Sequence, residues 1–368
     1  MRLLALYLGL LLFILGGCVN QSFPQNVADV SSPQQPVMID SCRTLDQQGA
    51  TYTLNGDIKQ SINSEDSLRC LTIEADDITL DCQNYSIIGD NYDHSDYLGL
   101  SWGVATAISE KFDSDYRFDN ITVKNCNLDN FSIGIRLRAN NSLVTNNKLD
   151  TEITGVDAYG SNNNISNNVI SSNNQPAIEF GGTKNTVKGN SLTGNQTGIG
   201  VFGTEQIVQD NTIENNGVGI RLSSTNSTIE NNKIKNNENT GVNISNDINT
   251  KQRGDNKIIG NEIESNGQWG IYIEYSPGNI ISDNKISGHS LSGIYVVKKS
   301  QENIFTGNEI VSNGSGITIG GLKYPEDVSN DITLADNKLC DNKREDYESD
   351  TPDFNCEEKK LCKQYVEY

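Results

Sequence analysis

Two short stretches, GVDAYG around Asp157 and AIEFGG around Glu179, set a carboxylate at the same point of nearly matching frames. Paired carboxylates are the equipment of glycoside hydrolysis, at about 5 Å for retention and wider for inversion. Tyr159 lies two residues after Asp157 and could serve as a base beside a uronate carboxylate, with Arg221 neutralising the acid. Asp157, Glu179, Tyr159 and Arg221 are therefore the candidate catalytic groups. Further along, Trp269, Tyr272, Glu274, Tyr275 and Tyr295 gather rings and a carboxylate. Rings beside carboxylates hold sugars by stacking on apolar faces and bonding hydroxyls. Arg136, Tyr272, Glu274 and Tyr295 are the candidate substrate-binding residues. The plainer account is a solvated column of mixed charge, with tyrosine present because it suits strands.

These residues become neighbours only if something brings distant segments into register, and the chain repeats itself in a way that does so. A pattern of aliphatic, two residues, Asn, one residue, aliphatic recurs with its Asn at Asn147, Asn168, Asn190, Asn211, Asn232, Asn261, Asn284, Asn308 and Asn337. In the upstream VKNCNL, Cys126 fills the same slot. A small residue followed by an aliphatic one comes eight or nine residues later, as in Gly155-Val156, Ala177-Ile178 and Gly219-Ile220. The apolar residues alternate over three to five positions and lack the longer helical spacing, so each unit reads as about three short strands with corners. Stacked units lie ~4.8 Å apart. A polar Asn is then tolerable inside, because its copies above and below satisfy its amide. Asn also accepts the left-handed backbone of a sharp corner. In such a stack, Arg136, Asp157, Glu179, Arg221, Tyr272 and Tyr295 fall in one outward column. Arg138, Tyr159, Phe202 and Glu274 fall in a second.

Over about residues 120–340 this cadence resembles the right-handed parallel β-helix, or pectin-lyase-like, superfamily, and within it NosD-like and carbohydrate-processing repeat proteins. LTIEADDITLDCQNYSIIG, residues 71–89, is similar to an opening coil. The resemblance implies an all-β, single-stranded right-handed parallel β-helix of about ten or more coils, with an Asn ladder and capped ends. It also implies that the sheet carrying the two outward columns is where a substrate would lie. It does not by itself assign an activity, because one fold hosts many.

The ends read differently. MRLLALYLGLLLFILGG, residues 1–17, has the charge and apolar run of a secretory signal, and Leu15-Gly16-Gly17-Cys18 resembles a lipobox. That implies lipidation of Cys18 and a membrane anchor facing the periplasm or the cell exterior. Residues 18–37 read as a flexible tether and 38–340 as the β-helix. Within it, 38–70 would form an N-terminal cap and 90–119 an insertion; 341–368 is a charged, Cys-containing C-terminal cap or tail. Export makes disulfides expected, and Cys42 with Cys70 and Cys340 with Cys356 are the favoured pairs. Seven cysteines besides Cys18 leave at least one without an intrachain mate.

Several classes can be set aside. A net charge of −20 disfavours nucleic acid, which is bound through Lys and Arg. His94 and His289 stand far apart and there are two Met, so the copper chemistry associated with NosD-like proteins has no soft ligand set. No metal site is assigned. Calcium is the one cofactor the composition leaves open, through Asp90, Asp93, Asp96, Asp113 and Asp115, although they form no D-x-D-x-D-G loop. The motifs of pectin-cleaving hydrolases and alginate epimerases are absent. The favoured reading is an envelope-anchored β-helix that binds polysaccharide or cell-surface glycan. The alternatives are a polysaccharide lyase, epimerase or glycoside hydrolase on the same face, and a NosD-like accessory or structural envelope protein.

Overall fold

The computed structural model describes residues 35–60, 69–89, 106–110, 118–246, 253–320, 329, 331–344 and 347–349. Every strand pairing among them is parallel, and the strands form three sheets of thirteen, twelve and thirteen members. The chain visits the sheets in turn, so each circuit adds one strand to each, as a right-handed parallel β-helix requires. Residues 37–60 already contribute the first strand of all three sheets. Thr106–Glu110 supplies a strand within the stretch read as an insertion, and Tyr347–Ser349 is the last strand of the third sheet. The signal, Cys18, the calcium candidates, Cys356 and the end of the tail lie outside the described residues.

In the first two sheets most strands have three residues with only the middle one buried, so each coil contributes one inward side chain per sheet. The register stacks Val144, Ile165, Val187 and Val208 in the first sheet. Leu149, Ile170, Leu192 and Ile213 stack in the second, and Val156, Ile178, Ile199 and Ile220 in the third. None of these twelve side chains is more than 2% exposed. The three columns meet in the interior. Burying each aliphatic side chain is worth about 1.5–3 kcal/mol, which is how a chain only 35% hydrophobic keeps a continuous core.

Three polar ladders line the corners, where the repeat led us to expect one. In the expected ladder, the backbone N–H and Nδ2 of Asn211 both donate to Oδ1 of Asn232, at 3.0 and 2.9 Å, and Asn232 repeats this toward Asn261. Nδ2 of Asn232 also donates to the carbonyls of Val208 and Glu230. The second ladder mixes side chains, running Asn163, Asn185, Gln206, Ser227, Asn256 and Asn279. That variety hides it from a search for one recurring residue. The third runs Asn173, Asn195, Asn216, Asn237 and Asn266. In the first ladder 29 residues separate Asn232 from Asn261, against 21 between Asn211 and Asn232, yet the hydrogen bonds are unchanged.

The repeated Asn-Asn pairs now have a physical division of labour. The first member takes the left-handed backbone, as at Asn146, Asn167 and Asn231 (φ 55–56°), and the second turns inward to the ladder. The small residues of the second anchor are set by space: a Cβ on Gly155 would lie 2.4 Å from Ile170 Cγ2 and 2.7 Å from the Ala177 carbonyl. At Gly182 conformation matters as well. Its φ is +104°, and a Cβ would sit 2.0 Å from the Gly160 carbonyl oxygen.

Covalent links reinforce the N-terminal coils. Cys42 bonds Cys70, joining the first two strands of the third sheet, and Cys82 bonds Cys126. Cys126 heads the first ladder by donating its N–H to Asn147 Oδ1, so the disulfide continues the ladder where the Asn run stops. The sequence reading did not include the Cys82–Cys126 pair. Cys340 has no disulfide among the described residues.

His289 occupies an Asn position in the third ladder and is 1% exposed. Its Nδ1 lies 2.7 Å from Asn313 Oδ1, and its Nε2 lies 3.2 Å from Asn266 Nδ2. An acceptor on one side and a donor on the other fix the neutral Nδ1–H tautomer, which imitates an amide. Burial pulls its pKa down to about 4, against smaller opposing effects from Asn313 and Glu264. The folded state thus resists protonation more than the unfolded chain does. Its contribution is whole above about pH 6.5 and is lost as pH falls toward about 4, on the order of 3 kcal/mol.

Two predictions follow from the ladders. Asn232→Ala should lower the unfolding free energy by about 3 kcal/mol or more, since it also orphans the Asn211 N–H, whereas Asn231→Gly should change it by under about 0.5 kcal/mol. Denaturant titrations that found the two equal would refute the division of labour. For His289→Asn, the loss of stability between pH 6.5 and 4.5 should shrink against the native protein in matched melts.

Candidate functional site

The third sheet carries the longest strands, eight residues each at Thr154–Ser161, Pro176–Thr183, Thr197–Thr204 and Val218–Thr225. Its register places Arg136, Asp157, Glu179, Gly200, Arg221, Asn243, Tyr272 and Tyr295 on successive coils of one outward column. The alternating strand pattern that buries Val156 and Ile178 turns these side chains outward.

At one end of the column Asp157 is held by two guanidinium groups. Arg136 Nε lies 2.9 Å from its Oδ2, while Arg138 reaches both oxygens, Nη1 to Oδ1 at 3.1 Å and Nη2 to Oδ2 at 3.0 Å. The carboxylate side chain is only 12% exposed. Arg138 also lies over the Tyr159 ring, 4.6 Å from its centre. Asp157 thus pairs with arginines and not with the neighbouring carboxylate. Glu179, one coil on, accepts a hydrogen bond from the Tyr159 hydroxyl at 2.8 Å. Burial, then this bond and the Glu179 charge, push the Tyr159 phenol well above the ordinary tyrosine range, which keeps it protonated. Arg138 lay in the outward columns but not among the candidates. Its signal was its diagonal relation to Asp157, two residues past Arg136 and one coil away.

Arg221 stands apart from this cluster. Gly200 occupies the coil between it and Glu179, so that position has no side chain of its own. The Phe202 ring leans over Gly200, and the Arg221 guanidinium lies 6.0 Å from that ring's centre. Arg221 is exposed and makes no ion pair among the described residues. On the next coil, the amide oxygen of Asn243 is buried without a hydrogen-bond partner.

At the other end the structure brings the aromatic candidates together. Trp269 stacks on Tyr295 with centroids 5.7 Å apart and planes 12° apart, and Tyr272 tilts against both, at 5.1 and 5.8 Å. All three rings are partly exposed. Burial first, then the Glu274 charge, raise the Tyr272 phenol to about 12. Glu274 is ion-paired with Lys298, whose ammonium lies 5.6 Å from the centre of the Tyr275 ring. Lys298 was missed at the sequence level because it follows its strand at a corner, outside both outward columns.

No group of three or more potential metal-ligating side chains is present among the described residues. Asp157→Ala would leave two guanidinium groups without their carboxylate and is expected to cost about 2 kcal/mol, against under about 1 kcal/mol for Glu179→Gln, which keeps an acceptor for Tyr159. Denaturant titration at neutral pH ranks the two, and the reverse order would contradict the clamp.

Comparison with known proteins agrees with this architecture. The family described as "right handed beta helix region" matches residues 105–207, 133–251 and 197–349. No curated protein matches the sequence. Among solved structures, the periplasmic alginate epimerase AlgG is similar with a TM-score of 0.56 and 13% identity, over 83% of this chain and 77% of that one. The A-module of Azotobacter vinelandii mannuronan C-5 epimerase AlgE4 gives 0.52 and 12%, over 84% and 83%. DFA-IIIase from Arthrobacter chlorophenolicus A6 without its lid gives 0.55 and 11%, over 81% and 85%. At these identities the likeness is one of fold.

Proposed function

The chain belongs to the right-handed β-helix family, and from that premise we propose that its long-strand face binds an extended polysaccharide or cell-surface glycan without turning it over. The observation that carries this reading is the contrast between the two ends of the face. The groups best placed for chemistry are engaged with one another: Asp157 is held by Arg136 and Arg138, and Tyr159 keeps its proton and donates a hydrogen bond to Glu179. A carboxylate whose oxygens are held by two arginines is occupied, and a phenol that stays protonated offers no base at neutral pH. The Trp269, Tyr272 and Tyr295 cluster, by contrast, is partly exposed and needs no further residue to stack on a sugar ring. Arg221, exposed and without an acid, suits a carboxylate or sulfate on the glycan. The alginate and mannuronan epimerases that share the fold support a polysaccharide as the partner. Exported and lipidated at Cys18, the protein would hold such a chain at the envelope.

Catalysis by Glu179 and Tyr159 is the second reading, favoured by their direct hydrogen bond beside the space at Gly200. One experiment separates the two. Purified protein is tested on uronate and neutral polysaccharides by affinity electrophoresis, with assays for unsaturated products, new reducing ends and C-5 inversion. Retention without products is expected, and Trp269→Ala with Tyr295→Ala should weaken it at least tenfold. Product formation would replace binding by catalysis, and the absence of both retention and product on every glycan would end the proposal.

A further inference from the structure

A recess of about 530 Å³ lies at the N-terminal end of the solenoid, where the sheet that carries the long strands begins. Three cations line it, Arg43, Lys59 and Arg69, together with the hydroxyl-bearing Ser41, Thr44 and Thr72 and a single carboxylate, Asp40. A local excess of positive charge runs against a chain of net charge −20. None of the three cations is ion-paired among the described residues. Arg43 Nε reaches only the Thr44 carbonyl, at 3.4 Å, and Asp40 accepts from the Ser41 hydroxyl. Where arginines gather on the long-strand face, Asp157 sits between them. Here no acid among the described residues pairs with the cations in that way.

Protection of exposed sheet edges explains part of this, since Arg43 and Lys59 lie on the first strands of their sheets and charges there deter unwanted pairing. It does not account for the convergence of all three on one recess: Arg69, on the second strand of its sheet, pairs with Thr106 on the third and lines the same recess. The Cys42–Cys70 disulfide, also in the lining, fixes the two strands that carry Arg43 and Arg69.

We propose that this recess is an anion site for a phosphate-bearing ligand. Three cations beside three hydroxyls offer more charge and more donors than one carboxylate would use, and they suit a multiply charged tetrahedral oxyanion. The phosphate could belong to a soluble molecule or to a lipid headgroup. The proposal does not rest on glycan binding further along that sheet.

The test is calorimetric titration of the intact protein with inorganic pyrophosphate at about 0.15 M salt, where charges more than about 8 Å apart are screened. A parallel arm measures co-sedimentation with phosphatidylcholine vesicles with and without phosphatidylglycerol. Saturable binding of one pyrophosphate is expected, with affinity at least tenfold lower in R43Q/R69Q and unchanged in K257Q/K285Q, which removes two exposed lysines from the other sheets. Vesicle binding that is lost in R43Q/R69Q and kept in K257Q/K285Q identifies the lipid source; pyrophosphate binding without it identifies a soluble one. Should R43Q/R69Q fail to fold, K59Q gives the same reading from an exposed side chain. No saturable response in either arm, or equal losses in the two double variants, would overturn the proposal.

Discussion

An amide that donates forward to the next coil while accepting from the previous one is the interaction on which the rest of the molecule depends. At Asn211 the backbone and side-chain N–H groups reach the same oxygen of Asn232, so each coil is located by two bonds at each such corner. With parallel strands hydrogen-bonded on every side of the circuit, like positions are held over like positions. The buried aliphatic columns of the first two sheets then need only one inward side chain per strand, and the polar composition ceases to be a difficulty. Polar groups in the corners are inexpensive because each is satisfied by its own copy.

The outward face inherits that regularity, and its chemistry is a set of departures from it. Where an acid and two arginines converge, they pair; where glycine replaces a side chain, an aromatic ring leans over the gap; where three rings meet, they remain partly exposed. The same scaffold therefore presents an ion-paired end and an aromatic end on one sheet, about four strand spacings from Glu179 to Tyr272, or ~19 Å. A polymer running parallel to the solenoid axis would meet both ends.

Much of this was readable from residue order alone. The slot at Asn147 to Asn337 set the register, and with it the column that unites Asp157 with Glu179 and Tyr272 with Tyr295, because strand stacking turns a constant sequence interval into spatial adjacency. The second ladder was hidden because Asn, Gln and Ser do the same job there, and His289 because an imidazole can imitate an amide only when its two neighbours fix its tautomer. The Asp157 clamp was missed for another reason. Register says which backbones are adjacent, but a long arginine side chain can also reach diagonally, and Arg138 covers the Tyr159 ring across from it while its guanidinium pairs with Asp157. The Cys82–Cys126 link was unpredictable from spacing, since their separation of 44 positions spans a stretch that departs from the repeat.

The long interval between Asn232 and Asn261 carries a consequence for how such a molecule can change. Eight more residues than the preceding interval leave the corner bond at 2.9 Å against 3.0 Å, so the ladder geometry is conserved whatever the length of chain between its members. Growth of the protein is thus quantised along one direction and unconstrained across it. Whole turns lengthen the outer wall in steps of one strand spacing, while any corner can sprout a loop of arbitrary size. Natural variation or engineering could accordingly alter reach and ornament separately, without renegotiating the interior.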